Sequence, residues 1–226
     1  MYSTLHPDLI RDTQYTIRTY EVNSRKEATV PALIRLMHEA AMENVLKLKM
    51  SVWDLEPIHI AWVLMRKHIR IYRIPMLGET IKIRTHPSGF EKVFTYRDYR
   101  VWDADGNKLA EVSTTWLCMD TQTRRMTRIP EHIRSLELPP KEECLPSPER
   151  KPLPFGTANH QYPYRVNWFD LDFNSHLNNV HYVQWMLESV DKNLLENANV
   201  QEVELQYKAE SLLHDEILSE VEVGEG

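Results

Sequence analysis

The sequence predicts an α+β protein of two related units, each a long helix wrapped by an antiparallel sheet, with the second unit short at its C-terminus. Three observations carry this reading. Residues 29–48 space their apolar side chains as a helix does and are followed by four strand-like runs. A Pro-rich stretch over residues 129–163 then breaks all periodicity. Beyond it the chain repeats its own beginning at a constant offset of 149 residues, which sets Tyr164 on Tyr15.

Residues 15–22 open the chain's periodic part as a strand. In the helix that follows, Leu33, Met37, Ala40, Asn44, Val45 and Leu48 fall on one face. Thr29 suits the N-cap, and Pro31 fits the first turn, where its missing N–H would have no intrahelical partner. Strand-like runs cover residues 58–74, 79–86, 90–102 and 108–120. Between the last two, Asp105-Gly106 predicts a type I′ hairpin, because that turn needs positive φ and these residues supply it cheaply. One long helix followed by an antiparallel meander is a layout in which the sheet curls around the helix.

Residues 129–163 hold eight of the 13 prolines and read as a semi-extended linker, since proline fixes φ. After it, the offset pairs Ile17 with Val166, Tyr20 with Phe169, Glu21 with Asp170, Val22 with Leu171, Ile34 with Val183, Met37 with Met186 and Glu39 with Glu188, all without a gap. A second helix is expected over residues 178–197, with Val180, Val183, Leu187, Val190 and Leu194 on one face, and strands over 203–209 and 216–223. The expected domains are 1–128, the linker 129–163, and 164–226. By analogy with the first unit, about two strands are wanting in the second, and an open strand edge calls for a cover. Further chain or a second copy, making a homodimer, would supply it.

Composition narrows the function classes. A chain of 226 residues with 42% hydrophobic residues can bury a real core. A net charge of −6 argues against a general nucleic-acid binder, which needs a basic field. No run approaches the ~18 to 20 apolar residues of a membrane span, and residues 1–12 lack the layout of a signal peptide. Cys118 and Cys144 are too few for a disulfide framework or a Cys-based zinc site. The expectation is a cytoplasmic protein with no membrane or nucleic-acid partner.

The residues richest in chemistry lie between positions 170 and 188. In an extended chain Asp172, Asn174 and His176 share one side just before a helix begins, placing a carboxylate, an amide and an imidazole together. Asn178 and Asn179 are N-cap candidates, so this helix start could hold a carbonyl oxygen as it gains negative charge. An imidazole there could serve as base or orient water. The plain alternative is that Asp, Asn and Ser are turn formers and caps. The repeat weighs against it: Asn23, Arg25 and Glu27 stand where the second copy has Asp172, Asn174 and His176, and a bend needed only for the fold should look alike in both. No H-E-x-x-H spacing, nucleophile elbow or phosphate-binding Gly loop is present, so neither metal nor cofactor is expected.

The pattern Asp170, Asp172, Asn174, His176, Asn178, Asn179, Tyr182, Trp185 and Glu188 resembles the acyl-acyl carrier protein (acyl-ACP) thioesterases of plant plastids and bacteria. The first half agrees through Ile17, Arg18, Tyr20, Glu21 and Val22, through Ala61-Trp62-Val63-Leu64, and through Met119, Asp120, Thr123, Arg124 and Arg125. That resemblance implies two hotdog domains in tandem, the first holding the acyl chain and the second the catalytic residues. It implies hydrolysis of fatty acyl-ACP to free fatty acid and carrier protein in fatty acid biosynthesis. It carries catalytic roles onto Asp172, Asn174, His176 and, from a later strand, Glu210. Simple alternation along residues 203–209 would set Glu210 with Gln206 and Lys208, opposite Leu205 and Tyr207. Ser211 stands where the family commonly has Cys, so a thiolate nucleophile is impossible there and water attack, or a carboxylate-assisted form of it, is favoured. Whether Asp172 holds the network or acts on the carbonyl stays open. Leu33, Leu36, Met37, Ala40 and Ala41 are candidates for the acyl pocket as well as for the core. The acidic carrier protein with its phosphopantetheine-linked chain needs a basic surface, and the candidates are Arg66, Lys67, Arg70 and Arg73, or Arg124, Arg125 and Arg128. An acyl-CoA thioesterase of the same fold and a non-catalytic acyl-binding regulator are the alternative readings.

Overall fold

A computed structural model describes residues 6–147 and 156–224. Its elements run β1 (Arg11–Thr16), α1 (Val30–Lys47), α2 (Val52–Leu55), β2 (Ile60–Ile71), β3 (Thr80–Glu91), β4 (Phe94–Trp102), β5 (Lys108–Asp120), β6 (Arg125–Met126), α3 (Glu131–Arg134), β7 (His160–Arg165), α4 (Asn179–Glu188), α5 (Lys192–Asn197), β8 (Glu202–Gln206) and β9 (Glu216–Val221). They form two compact units, residues up to 147 together with 201–206, and 156–200 together with 207–224. None of the described helices is long and apolar enough to cross a membrane.

The first unit is an antiparallel sheet in the order β1-β3-β4-β5-β2-β8, with β6 on β5, and α1 packs against β1 and β3. Thr29 caps α1 as expected, its Oγ1 accepting the Ala32 N–H at 3.2 Å, with Pro31 in the first turn. Val30, Leu33, Ile34, Met37, Ala40 and Asn44 are buried along one face. Burying each large aliphatic side chain contributes about 1.5 to 3 kcal/mol, which is what holds this helix on the sheet. Two basic side chains of the sheet also turn toward α1. The Lys67 amine lies 3.0 Å from His38 Nε2 on α1, and Arg97 donates to Asn44 Oδ1 at 2.8 Å.

Several expectations change. The first strand is Arg11–Thr16, and the segment after it turns through a short 3-10 helix, Thr19–Glu21, in which the Glu21 carboxylate takes the Arg18 N–H at 2.7 Å. The hairpin at Asp105-Gly106 exists but is not type I′. Only Gly106 there has positive φ (+85°), and Asp103 Oδ1 gathers the N–H groups of Asp105 and Asn107 at 3.1 and 2.8 Å. That side-chain acceptor favours a type I turn closed by a left-handed glycine. Gly106→Ala is expected to cost about 1 kcal/mol of stability, read as a lowered urea midpoint at unchanged slope.

The Pro-rich stretch is not a free linker throughout. Ile129 and Ile133 are buried with Leu48, Met50, Leu55 and Cys118, with Leu136 packed beside them. Asp98 Oδ2 accepts the Leu145 N–H at 2.6 Å, fastening the later part to the sheet. The 129, 133, 136 spacing of apolar residues was the signal that the prolines masked. Residues 148–155 of the predicted linker, and 225–226, lie outside the described residues.

In the second unit β7 pairs antiparallel with β9, and Val166, Leu177 and Trp185 form its core. Tyr164 stacks on Trp185 at 4.9 Å between ring centroids. The predicted helix over 178–197 is two helices. Ser189 Oγ turns back to donate to Trp185 O at 2.7 Å, and Asp191 Oδ1 caps α5 through the Asn193 N–H at 2.8 Å. Both side chains satisfy backbone groups in a way that ends one helix and starts another. The segment predicted as a strand over 203–209 ends at Gln206. As β8 it joins β2 of the first unit, Arg66 opposite Gln206 and Arg70 opposite Glu202, rather than the second unit's own sheet.

The repeat is visible element by element. β1 and β7, the 3-10 turns Thr19–Glu21 and Trp168–Asp170, the bridges Val22 to Ala28 and Leu171 to Leu177, and the starts of α1 and α4 all keep the 149-residue offset. So do the left-handed residues Lys26 (φ 64°) and Ser175 (φ 62°).

Candidate active site

The loop leading into α4 is built by Asp172. Its Oδ1 accepts the N–H groups of Asn174 at 2.8 Å and His176 at 3.2 Å, while its own N–H donates to His176 O at 2.8 Å. This closes a five-residue turn through Ser175 in the left-handed region. The first copy makes the same turn with an amide: Asn23 Oδ1 accepts from Arg25 N at 2.9 Å and Glu27 N at 3.1 Å. The bend is therefore alike in both copies, although the residues that form it differ in chemistry. What differs is the outward side chains, Asn174 and His176 against Arg25 and Glu27.

The turn aims His176 at the segment after β8. His176 Nδ1 lies 3.1 Å from Glu210 Oε2, with side chains 27% and 37% exposed, so the pair is reachable from solvent yet partly shielded. Because β8 ends at Gln206, Glu210 sits on irregular chain, and the alternation expected from a strand does not govern where it points. Asn174 is exposed, and among the described residues its side chain makes no hydrogen bond. It is available to a ligand.

At the start of α4, Asn178 Oδ1 accepts the Val180 N–H at 3.1 Å. The Asn178 main-chain N–H is taken by Asp170 O at 2.9 Å, and the His181 N–H by Asn178 O at 2.9 Å. Asn178 thus works as a cap, and Asn179 opens the helix at its positively polarised end. Tyr207, whose hydroxyl donates to Asn179 O at 3.3 Å, is held well above the ordinary phenol range by burial.

Two contacts were not foreseen. Tyr182 donates its hydroxyl to Ser211 Oγ at 2.9 Å, and the Leu177 N–H donates to Ser211 O at 2.8 Å. Tyr182 stood inside the recognised pattern, but a partner 29 positions away leaves no local signal.

In the first unit, Leu33, Leu36, Met37 and Ala40 are buried and Ala41 partly so. Of the basic candidates, Lys67 is 1% exposed and is removed from the surface set. Arg70 pairs with Glu202 at 3.1 Å, and Arg73 with Glu79 at 2.6 Å and Asp103 at 3.0 Å. Arg125 and Arg128 are exposed. One grouping with metal-ligand residue types exists among the described residues, His68 with Glu202 and Glu204. Glu202 is already shared there between His68 Nε2 at 2.6 Å and the Arg70 guanidinium at 3.1 Å, which accounts for the cluster without an ion.

Two family models match the chain, the acyl-ACP thioesterase N-terminal domain over residues 8–136 and the acyl-ACP thioesterase C-terminal domain over 156–225. The chain is 30% identical over 217 residues to the chloroplastic oleoyl-acyl carrier protein thioesterase 1 of Arabidopsis thaliana, covering 87% of this chain and 59% of that protein. It thus spans about three-fifths of the length of such curated relatives. Among solved structures, a putative oleoyl thioesterase of Lactobacillus plantarum is similar at TM-score 0.82 and 27% identity, covering 92% of this chain and 82% of that one. The 12:0-ACP thioesterase of Umbellularia californica shares the fold at TM-score 0.84 and 24% identity, over 98% and 90% of the two chains.

Proposed function

The chain belongs to the acyl-ACP thioesterase family, and from that premise we propose that it hydrolyses the thioester of fatty acyl-ACP to free fatty acid and carrier protein. The observation that carries the proposal is the His176–Glu210 pair, 3.1 Å apart, beside the N-terminus of α4. In this reading the architecture is a tandem double hotdog, the first unit holding the acyl chain against α1 through Leu33, Leu36, Met37, Ala40 and Ala41. Glu210 and His176 orient a water and accept its proton as the water oxygen bonds to the carbonyl carbon. Charge on the carbonyl oxygen is met at the start of α4 by Asn179. The carbon–sulfur bond then breaks, and the proton returns to the thiolate. Asn174 orients the water or the thioester. Asp172 is a positioning residue, since its Oδ1 is already spent on two backbone N–H groups.

Free-thiol release from acyl-ACP, acyl-CoA and uncharged acyl-N-acetylcysteamine thioesters tests this proposal. Turnover favouring acyl-ACP supports it, and turnover confined to acyl-CoA would replace the carrier while keeping the chemistry. A folded chain inert on all three would refute hydrolysis. The acidic carrier would dock on the exposed Arg125 and Arg128. The double variant Arg125→Glu, Arg128→Glu is expected to raise KM for acyl-ACP about tenfold at low salt while leaving the uncharged thioester unaffected. An unchanged KM would place the docking surface elsewhere.

A further inference from the structure

We propose that Tyr182 and Ser211 form a hydroxyl clasp whose work is to hold Glu210 against His176, making both of them positioning residues rather than Ser211 a nucleophile. The inference deepens the thioesterase reading and rests on it.

Glu210 has no regular secondary structure to fix it, because β8 ends four residues earlier and β9 begins only at Glu216. A side chain that must meet an imidazole within hydrogen-bond distance needs its backbone tethered. Its neighbour Ser211 provides the tether twice. Ser211 O accepts the Leu177 N–H at 2.8 Å, tying the segment to the residue just after His176. Ser211 Oγ accepts the Tyr182 hydroxyl at 2.9 Å, tying it to the first turn of α4. Tyr182 is itself braced edge-on by Tyr207, with ring centroids 5.9 Å apart and planes at 80°. Both anchors therefore hold Ser211, one from the residue before the α4 N-cap and one from the first turn of α4, and together they fix the backbone one residue from Glu210.

The same geometry argues against nucleophilic serine. A serine attacks when a base takes its proton. Here Ser211 Oγ accepts from a phenol, while His176 Nδ1 is directed at Glu210 instead. A serine hydroxyl oxygen is a better acceptor for the tyrosine than a thiol sulfur would be, which suits a clasp.

The test compares Tyr182→Phe, Ser211→Ala, the double variant and Ser211→Thr. Each single removal is expected to lower kcat about tenfold, the rate equivalent of one hydrogen bond, with KM within about twofold. Because both singles delete the same bond, the double variant should be no slower than either, and Ser211→Thr, which keeps the hydroxyl, should recover most of the rate. The imidazole ¹⁵N chemical shifts of His176, which report its Nδ1 hydrogen bond, should move in Tyr182→Phe and Ser211→Ala and stay in place in Ser211→Thr. Additive losses, unmoved shifts, or a Ser211→Ala variant that is inert while Tyr182→Phe is unimpaired would overturn the clasp. Should the native chain hydrolyse no thioester, the shifts alone still decide it, so failure of the clasp and failure of the thioesterase reading are read separately.

Discussion

Glu210→Ala is expected to reduce kcat by about 10² to 10⁴ while leaving the chain folded, because a positioned acid-base group contributes on that order and the side chain is one-third exposed. The loss should fall on kcat and on kcat/KM alike, as expected for an interaction made in the transition state. The informative contrast is Asp172→Asn. The first copy of the repeat already shows that an amide closes the same turn, with Asn23 Oδ1 holding Arg25 N and Glu27 N. Asp172→Asn should therefore keep the loop and the unfolding midpoint, whereas Asp172→Ala removes the side-chain acceptor of two backbone N–H groups and should destabilise the loop by about 1 to 2 kcal/mol. If Asp172 only positions, Asp172→Asn retains most of the turnover. A collapse comparable to Glu210→Ala would instead show that its negative charge acts on the reacting groups. Near-normal turnover in Glu210→Ala would remove Glu210 from the mechanism.

The second large effect is on stability and lies in the first unit. Burial pushes the Lys67 amine from the ordinary lysine range down to about 7, and burial together with Lys67 itself pushes His38 well below its usual value. A lysine whose folded pKa is depressed binds fewer protons folded than unfolded between the two values, so unfolding takes up protons and stability rises with pH across that window. On this account the chain gains stability from about pH 7 to about 10, the unfolded lysine value, and the gradient should amount to a few kcal/mol. Below pH about 6.5, the unfolded value for histidine, His38 contributes a further loss of the same sign, since only the unfolded chain takes its proton readily. Lys67→Met should flatten the alkaline gradient and stabilise the chain most at pH 7 and below, by about 1 to 3 kcal/mol after the loss of the contact with His38 Nε2. Urea unfolding at pH 6, 7.5 and 9 measures it. A gradient equally steep in native chain and variant would show that other groups carry it.

Much of the architecture was readable because it is written in short-range terms. Thr29, Pro31 and the apolar face of α1 act within a few residues of one another, and so do the repeated turn and caps, so the 149-residue offset survives in the structure from β1 and β7 to the starts of α1 and α4. Where competing local signals met, the reading failed. Asp103, not the Asp105-Gly106 pair alone, chose the hairpin turn, and Ser189 with Asp191 ended a helix whose apolar spacing ran on. Prolines hid Ile129 and Ile133, which the fold buries.

By itself the sequence determined the α+β class, the repeat, and the loop of Asp172, Asn174 and His176 ahead of a capped helix. Those features depend on backbone conformations and hydrogen bonds closed within about five residues. Only the tertiary structure decided that β8 pairs with β2, that Glu210 meets His176 from irregular chain, that Ser211 is clasped by Tyr182, and that Lys67 turns inward toward α1. Each of those joins residues roughly thirty or more positions apart. Contacts of that range are set by loop closure and by which face of a strand finds a partner, and neither leaves a periodic mark on the residues involved.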